Sequence, residues 1–112
     1  MSRDASALLD ISDAISLIEQ YTKGLSQVDF EASVEKQDAS VRRITIVGEA
    51  TKRLTKGFRA QHPTIPWKQI AGMRDVLSHD YDEVDLEEVW RVTKEDLPQL
   101  ADYIRPLLPK SD

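Results

Sequence analysis

Apolar side chains recur at helical spacing through the first quarter of the chain. The series consists of Leu8, Ile11, Ile15, Ile18 and Leu25, in steps of three, four, three and seven. Such steps place side chains on one face of an α-helix. The pattern predicts a helix over about residues 3–23, and Gly24 can end it because glycine tolerates the left-handed conformation found after many helices. In the connection that follows, Asp29 can cap the next helix.

A second helical region is predicted over about residues 30–60, as a short helix followed by a long one. Its stripe consists of Val41, Ile44, Gly48, Thr51, Leu54 and Phe58. Gly48 costs a helix about 1 kcal/mol relative to alanine, which a close approach of another helix would explain. The region is also the most basic one, with Arg42, Arg43, Lys52, Arg53, Lys56 and Arg59. These cations either form a solvated face paired with Glu35, Asp38 and Glu49, or some of them border a functional site.

Two prolines separate this region from a third helix. Pro63 and Pro66 prevent a continuous helix, and Pro66 suits the first position of a new one. The apolar positions that follow are Trp67, Ile70, Met73 and Leu77. The helix is predicted to stop near Ser78, because several aspartates in the next seven residues favour turns and caps. His62, just before the first proline, is expected to be a surface or capping residue.

The last helical region is predicted to begin after Asp85, which can serve as its N-cap. Its stripe consists of Leu86, Val89, Thr93, Leu97, Leu100, Ile104 and Leu107. Pro98 cannot donate a backbone hydrogen bond, so we expect a kink there or a new helix capped by Asp96. Every segment follows the helical period. The predicted fold class is therefore all-α, an up-and-down bundle of four or five helices in one domain that covers residues 1–112.

The composition limits the partners and the kinds of site that we expect for this chain. The 112 residues carry a net charge of -5, which argues against broad, non-specific nucleic-acid binding and requires any RNA to be held locally. There are no cysteines and only two histidines, so we expect no disulfide framework, no metal site and no cofactor. The N-terminus lacks a secretion signal and no stretch approaches 18 apolar residues. These features predict a cytoplasmic protein without a membrane segment.

One short stretch gathers the residues best suited to chemistry. Residues 74–81 read Arg-Asp-Val-Leu-Ser-His-Asp-Tyr, at the end of the third helix. On a continuous helix Arg74 and His79 would lie about 140° apart, and His79 and Tyr81 about 160° apart. If the helix stops near Ser78 and the chain continues extended, His79 and Tyr81 share one side. The last helical turn could then aim Arg74 at the same space.

These three side chains are the parts of a metal-free phosphodiester site. Arginine offers a planar fork of donors that matches phosphate oxygens. Histidine has an ordinary pKa of about 6.5, which suits proton transfer near neutrality. Tyrosine can donate or accept a hydrogen bond, stack on a base or be modified. The plainer alternative is that Arg74, His79 and Tyr81 are caps and surface contacts at a helix end.

The segment from Arg74 to Tyr81 matches the R-x4-H-x-Y signature of the HepT-like proteins, with Arg74, His79 and Tyr81 at its three fixed positions. These proteins belong to the HEPN (higher eukaryotes and prokaryotes nucleotide-binding) superfamily. The resemblance extends along nearly the whole chain. It includes Gly48-Glu49-Ala50 in a long helix, the Pro66-Trp67 entry, Gly72-Met73-Arg74-Asp75 and Asp96-Leu97-Pro98. The chain therefore resembles this family in segments along its length as well as in the motif itself.

The resemblance implies a helical bundle that forms a homodimer, with both motifs facing a shared cleft. It also implies a metal-independent endoribonuclease that is the toxin of a toxin–antitoxin pair. The implied partner is a minimal nucleotidyltransferase antitoxin that attaches AMP to Tyr81. In such a dimer one His79 would act as base and the other as acid, while Arg74 would stabilise charge on the phosphate. Asp75 would orient Arg74 or His79, or simply cap the helix. DNA, which lacks the 2′-OH nucleophile, would not be a substrate.

Two other interpretations stay open. HEPN-like domains can be non-catalytic nucleotide-binding or adaptor modules that work with a nucleotidyltransferase. Arg74 and Tyr81 would then hold a phosphate and a base, and His79 would donate a hydrogen bond. The other alternative is a structural dimerisation module in which the motif has no chemical role.

Overall fold

The computed structural model describes residues 1–79 and 85–109, and throughout these ranges the ordered elements are helical. The helices are α1 (Arg3–Thr22), α2 (Gln27–Glu31), α3 (Val34–Arg53), α4 (Lys56–Gln61), α5 (Trp67–His79), α6 (Leu86–Arg91) and α7 (Leu97–Ile104). A π-helical turn, Val92–Asp96, joins α6 to α7, and a 3-10 turn, Arg105–Leu107, follows α7. The prediction of an all-α fold is confirmed. None of the described helices combines the length and apolar character needed to cross a membrane.

Helices α1 and α3 are antiparallel and form the centre of the bundle. At one end, Asp4 accepts hydrogen bonds from the Thr55 backbone N–H (2.7 Å) and the Thr55 hydroxyl (2.8 Å). Halfway along α3, Arg43 Nε donates to the hydroxyl of Tyr21, near the end of α1 (3.4 Å). The later residue of α1 thus contacts the earlier residue of α3, which requires that the two helices run in opposite directions. Helix α5 packs on α3, and α7 packs on α1.

The hydrophobic core contains most of the apolar residues of the predicted stripes, together with buried residues such as Phe30 and Val47 that lie on none of them. Fully buried members come from α1, α2, α3 and α7, with further buried side chains from α5 and α6. The largest of them are Phe30, Leu8, Ile11, Ile15, Ile18, Ile44, Leu54, Leu97 and Ile104. Because each stripe lies on one face of its helix, burying all of them at once brings the helices together around one core.

The first helix ends as predicted, but the cap of the second differs. Gly24 has a φ of 76°, the left-handed conformation expected of it after α1. Ser26, not Asp29, is the N-cap of α2: its hydroxyl accepts from the Asp29 backbone N–H (3.1 Å). Asp29 bonds back to the backbone N–H of Ser26 (3.2 Å). The two residues form a capping box, so Asp29 holds the third helical position of that motif.

The long basic region is broken where the sequence shows no breaker. Leu54 has extended backbone (ψ 137°), so α3 ends at Arg53 and α4 starts at Lys56. The Thr55 N–H bonds to Asp4, fifty-one positions earlier in the chain. A tertiary contact thus replaces the intrahelical bond that would continue α3. The short helix ahead of α3, predicted to begin at Phe30, is α2 and begins three residues earlier.

Helix α5 follows the two prolines closely as predicted. Pro66 lies directly before the first helical residue, and its carbonyl accepts from the Ile70 N–H (3.1 Å). The Trp67 indole N–H donates to the carbonyl of His62 (2.9 Å), which ties the start of α5 to the end of α4. The described part of the helix reaches His79, one residue beyond the predicted stop at Ser78, and the residues that follow it, 80–84, lie outside what the structure describes.

A π turn, rather than a capped restart, accommodates Pro98. Leu97 N–H bonds to the carbonyl of Val92, five residues earlier, and Pro98 occupies the first turn of α7, where no donor is required. Asp96 makes no capping bond; its carboxylate accepts from Arg91 instead (2.9 Å). The expectation of an Asp96 cap is therefore wrong. The predicted N-cap at Asp85 is confirmed, since Asp85 Oδ1 accepts from the Glu87 N–H (3.0 Å).

Candidate functional site

The backbone of α5 carries the first three motif residues. Arg74, Asp75 and His79 all lie within this helix, and His79 is its last described residue. On an ideal helix, positions 74 and 79 are about 7.5 Å apart along the axis and about 140° apart around it. The side chains of residues 74–79 lie outside what the structure describes, and so does Tyr81 altogether. The roles assigned to Arg74, Asp75, His79 and Tyr81 therefore stay predictions, on a helix whose place in the bundle is known.

A polar stripe of α3 follows the border with α5. Helix α3 packs on α1 and α5, and the contact between Arg43 and Tyr21 marks its α1 side. At 100° per residue, the opposite edge of its buried face is formed by Val41 and Gly48. The polar residues beyond that edge are, in order around the helix, Lys52, Thr45, Asp38, Glu49 and Arg42, and Arg42, about 100° from Val41, lies in the middle of the exposed face. Four of the five are exposed and Thr45 is half-buried, so the motif helix has a solvent-accessible polar neighbour.

An apolar groove runs along another side of α5. It measures about 930 Å³ and separates α5 from α6, the π turn and α7. Its floor is formed by core side chains such as Ile44, Ile70 and Leu97, and Gly72 and Met73 line it directly before the motif begins. No feature of the sequence predicts this groove. Its apolar lining residues belong to stripes that are expected to be buried in the core. Only the arrangement of the helices shows that these residues leave a space between α5 and the helices across from it.

One edge of the groove is charged. Arg91 donates to both carboxylate oxygens of Glu88 (3.0 and 2.5 Å) and to both oxygens of Asp96 (2.9 and 2.9 Å), while Glu95 lies 3.7 Å away. The hydrogen bond from Arg91 lowers the pKa of the Glu88 carboxyl below its ordinary value. The same carboxylates raise the pKa of Arg91. The cluster places one guanidinium among three carboxylates and so leaves this edge net negative.

His62, the other histidine of the chain, has a structural role. It is the C-cap residue of α4, and its Nδ1 lies 3.1 Å from the hydroxyl of Tyr103. Its ring packs on Phe58 with the ring centroids 4.7 Å apart. The prediction of a capping histidine is confirmed. Within residues 1–79 and 85–109, no group of three or more potential metal ligands is present among the described side chains.

Comparison with known proteins agrees with the motif. A family model described as "Ribonuclease HepT-like" matches residues 11–107. A protein of Thermococcus cleftensis, named a probable ribonuclease HepT, is 43% identical over 93 residues, which cover 83% of this chain and 84% of the relative. A candidate RNase of Caldanaerobacter subterraneus is 42% identical over 94 residues, 84% of this chain and 83% of the relative.

A third relative is a longer protein. It comes from Methanocaldococcus jannaschii, its name joins a gamma-glutamylcyclotransferase to a candidate RNase, and it is 43% identical over 113 residues. The match covers 100% of this chain but 51% of that relative, so the chain spans about half of the longer protein. No solved structure matches the chain significantly. With the family match extending from α1 to the 3-10 turn after α7, the chain belongs to the HepT-like ribonuclease family.

Proposed function

We propose that this protein is an endoribonuclease that cleaves RNA without a metal ion and is the toxin of a toxin–antitoxin pair. The observation that carries the proposal is Arg74-x4-His79-x-Tyr81, which lies inside the segment matched to the HepT-like family. The relatives named as ribonucleases support RNA as the substrate class. The placement of Arg74 and His79 on a helix bordered by polar side chains supports a site that RNA can reach.

The proposed reaction needs three groups. The ribose 2′-OH attacks the adjacent phosphorus, a base accepts its proton, and an acid protonates the leaving 5′ oxygen. The products are a 2′,3′-cyclic phosphate and a free 5′-OH. Neutral His79 is suited to be the base and protonated His79 the acid, since imidazole exchanges protons near neutrality. Arg74 would stabilise the negative charge that develops on the phosphate oxygens.

The need for both a base and an acid argues for a homodimer. One chain offers only one histidine in the motif, and the other, His62, caps α4 and contacts Tyr103. A two-fold axis beside α5 would bring two copies of His79 to one cleft. Sedimentation at micromolar concentration should therefore give a dimer. A monomer that cleaves RNA would disprove the two-histidine mechanism.

The proposed control of the toxin is a covalent modification. A minimal nucleotidyltransferase would transfer AMP from ATP to the phenol oxygen of Tyr81, with release of pyrophosphate. The added nucleotide would place a phosphate two residues from His79, where it can pair with Arg74 and exclude RNA. Asp75 would orient Arg74 or His79, or cap the helix.

The decisive experiment is cleavage of RNA by purified, unmodified protein in EDTA. We expect cleavage of RNA with a 2′,3′-cyclic phosphate end, and no cleavage of DNA of the same sequence. His79→Ala should lose about 10²–10⁴-fold in rate because the proton transfers are lost. Arg74→Ala should lose about a hundredfold or more. The matched control is His62→Gln, which changes the other histidine and should keep full activity.

Circular dichroism must show that each variant is folded. Full cleavage by folded His79→Ala protein would exclude His79 as a proton carrier and with it the proposed enzyme. Loss of activity in EDTA that added Mg²⁺ restores would exclude the metal-independent mechanism.

A further inference from the structure

The groove beside α5 has an apolar floor and an acidic rim. Its volume is about 930 Å³, and its floor consists of core side chains of α3, α5 and α7. Among the lining residues that the structure describes, the charged ones are three carboxylates and one guanidinium: Asp85, Glu88, Asp96 and Arg91. An acidic rim disfavours a nucleic-acid strand, because phosphates carry charge of the same sign. The groove is therefore suited to an apolar ligand that carries positive charge at its edges.

The walls of the groove are helices, which favours a helix as its occupant. Residues 66–73 contribute one wall, and α6, the π turn and α7 contribute the other. The first wall extends over about 10 Å, which matches two turns of a helix laid against it. The described ranges contain no strand to which an extended peptide could add. An amphipathic helix fits instead, with apolar side chains at steps of three and four residues in the groove and cations beside the rim.

Gly72 leaves space in the groove on the side of α5. It is one of the lining residues, and a Cβ atom added to it would meet nothing within 4 Å among the described residues. A glycine inside a helix costs about 1 kcal/mol relative to alanine. The packing of the described residues does not require this glycine, because no neighbour approaches it closely. The space in front of Gly72 is therefore available to an occupant, and a larger side chain at this position would fill it.

The groove is bordered by residues on both sides of the motif in the sequence. Met73 lines the groove directly before the motif, and Asp85 lines it four residues after Tyr81. Position 79 is seven residues after Gly72, which puts it about 10 Å further along α5 and about 20° around it. An occupant that lies along Gly72 towards the end of α5 therefore borders the position of His79.

We propose that the groove binds a cationic amphipathic helix of a partner protein, the nucleotidyltransferase. The identity of the partner rests on the proposed function, and the inference adds the surface to which that partner binds. Two copies of the chain that met at this groove around a two-fold axis would bring two acidic rims together, so charge favours a basic partner over a second copy. A helix bound here holds the enzyme next to Tyr81. That placement selects Tyr81 among the three tyrosines of the chain.

The test measures the binding of two model peptides separately from RNA cleavage. One is a fluorescein-labelled helical peptide of about four turns, with leucine on one face and lysine on the other. The second peptide carries glutamate in place of every lysine. Fluorescence anisotropy gives the Kd of each peptide for the full chain over a range of salt concentrations. The lysine peptide should bind at least about tenfold more tightly at low salt, and its advantage should shrink as salt screens the rim.

Gly72→Leu fills the groove, and Gly57→Leu is its matched control. Gly57 is exposed in α4 and does not line the groove, and a Cβ atom there also meets nothing within 4 Å among the described residues. Gly72→Leu should weaken binding of the lysine peptide about tenfold or more, because at least one buried leucine of the peptide is displaced. Gly57→Leu should leave the Kd unchanged. Circular dichroism shows whether both variants are folded.

The charge of the rim is tested by a second pair of variants. Glu88→Gln removes one rim carboxylate and should weaken binding of the lysine peptide roughly two- to fivefold. Asp102→Asn makes the same change in net charge at an exposed position outside the groove and should leave the Kd unchanged. If Gly72→Leu does not fold, this pair decides between the outcomes.

The purified nucleotidyltransferase then tests the identity of the partner. Gly72→Leu should raise the KM for this chain in AMP transfer and leave kcat nearly unchanged, because uniform binding is lost. Gly57→Leu should match the parent in both quantities.

The outcomes separate this inference from the proposed function. An unchanged Kd of the lysine peptide in Gly72→Leu, an equal loss in Gly57→Leu, or equal binding of the glutamate peptide would overturn the docking site whether or not the protein cleaves RNA. So would sedimentation in which Gly72→Leu turns a dimer into a monomer, since a second copy would then fill the groove. The expected pattern of peptide binding, in a protein that accepts no AMP and cleaves no RNA, would keep the docking site and remove the proposed function.

Discussion

Substituting Lys94 tests whether the π turn holds the end of the first helix. Lys94 Nζ donates to the Thr22 hydroxyl (3.0 Å) and lies 3.5 Å from the Thr22 carbonyl, in the last turn of α1. It also lies 4.8 Å from the ring centroid of Trp90. The side chain therefore places a positive charge on the negative end of α1 and over an aromatic face. Lys94→Met keeps the length and most of the packing but removes the charge.

The expected loss follows from these contacts. A cation at a helix C-terminus contributes about 0.3–1 kcal/mol, and an exposed cation–π contact about 0.5–1 kcal/mol. Thr22 is buried, but its hydroxyl still donates to the Ile18 carbonyl (2.9 Å), so the variant leaves no orphaned polar group. We therefore expect a loss of about 1–2 kcal/mol, or a fall in Tm of roughly 4–8 °C for a chain of this size.

Urea and thermal unfolding followed by circular dichroism measure this loss. The matched control is Arg105→Met, which removes an exposed cation paired with Asp102 at the surface and should stay within about 0.5 kcal/mol of the parent. Lys94→Arg should keep most of the stability. The difference between parent and Lys94→Met should shrink in 1 M salt, where exposed charges are screened. A Lys94→Met protein as stable as the parent at low salt would refute the reasoning.

Three further outcomes are expected. Phe30→Ala should cost about 3–5 kcal/mol, because Phe30 is fully buried between α2 and α6, whereas Val28→Ala at a 75% exposed position should be nearly neutral in urea unfolding. Arg91 lowers the pKa of Glu88 in the folded state, so this pair stabilises the fold above the ordinary value of 4.5 and loses its effect as the pH falls. The stability difference between parent and Glu88→Gln should therefore close on acidification below that pH, and a constant difference would contradict it. Co-expression with the nucleotidyltransferase should add AMP mass that Tyr81→Phe abolishes; a mass gain in that variant would place the acceptor elsewhere.

The sequence alone predicts most of the helices because their signals are local. The stripe of α1, the glycine that ends it and the Asp85 cap each depend on residues within a few positions. Their backbone preferences do not need a distant partner. The same holds for the motif: Arg74 and His79 are recognised by spacing, and family membership follows from residues that the chain itself carries.

Where the sequence misleads, competing local groups are the cause. Ser26 and Asp29 are both good N-caps, and the structure uses them together in a capping box, with Ser26 in the first position. Asp96 could cap a helix before Pro98, but Arg91 binds its carboxylate and the backbone forms a π turn instead. Composition and spacing do not rank such alternatives, because the free energies of the alternative capping arrangements differ by about 1 kcal/mol or less.

Other features depend on residues far apart in the chain. The break after Arg53 arises because Asp4 of α1 takes the N–H of Thr55, and no local pattern announces it. The groove exists because α5 packs on α3 while α6 and α7 lie across from it, although the lining residues read as ordinary core. Likewise, Arg42 and Arg43 are neighbours in sequence, but a turn of 100° directs only Arg43 to α1. The sequence therefore determined the helices and the motif, whereas packing of the helices decided which polar residues border the motif helix. The reason is that a helix acquires a buried side and an exposed side only when other helices pack against it.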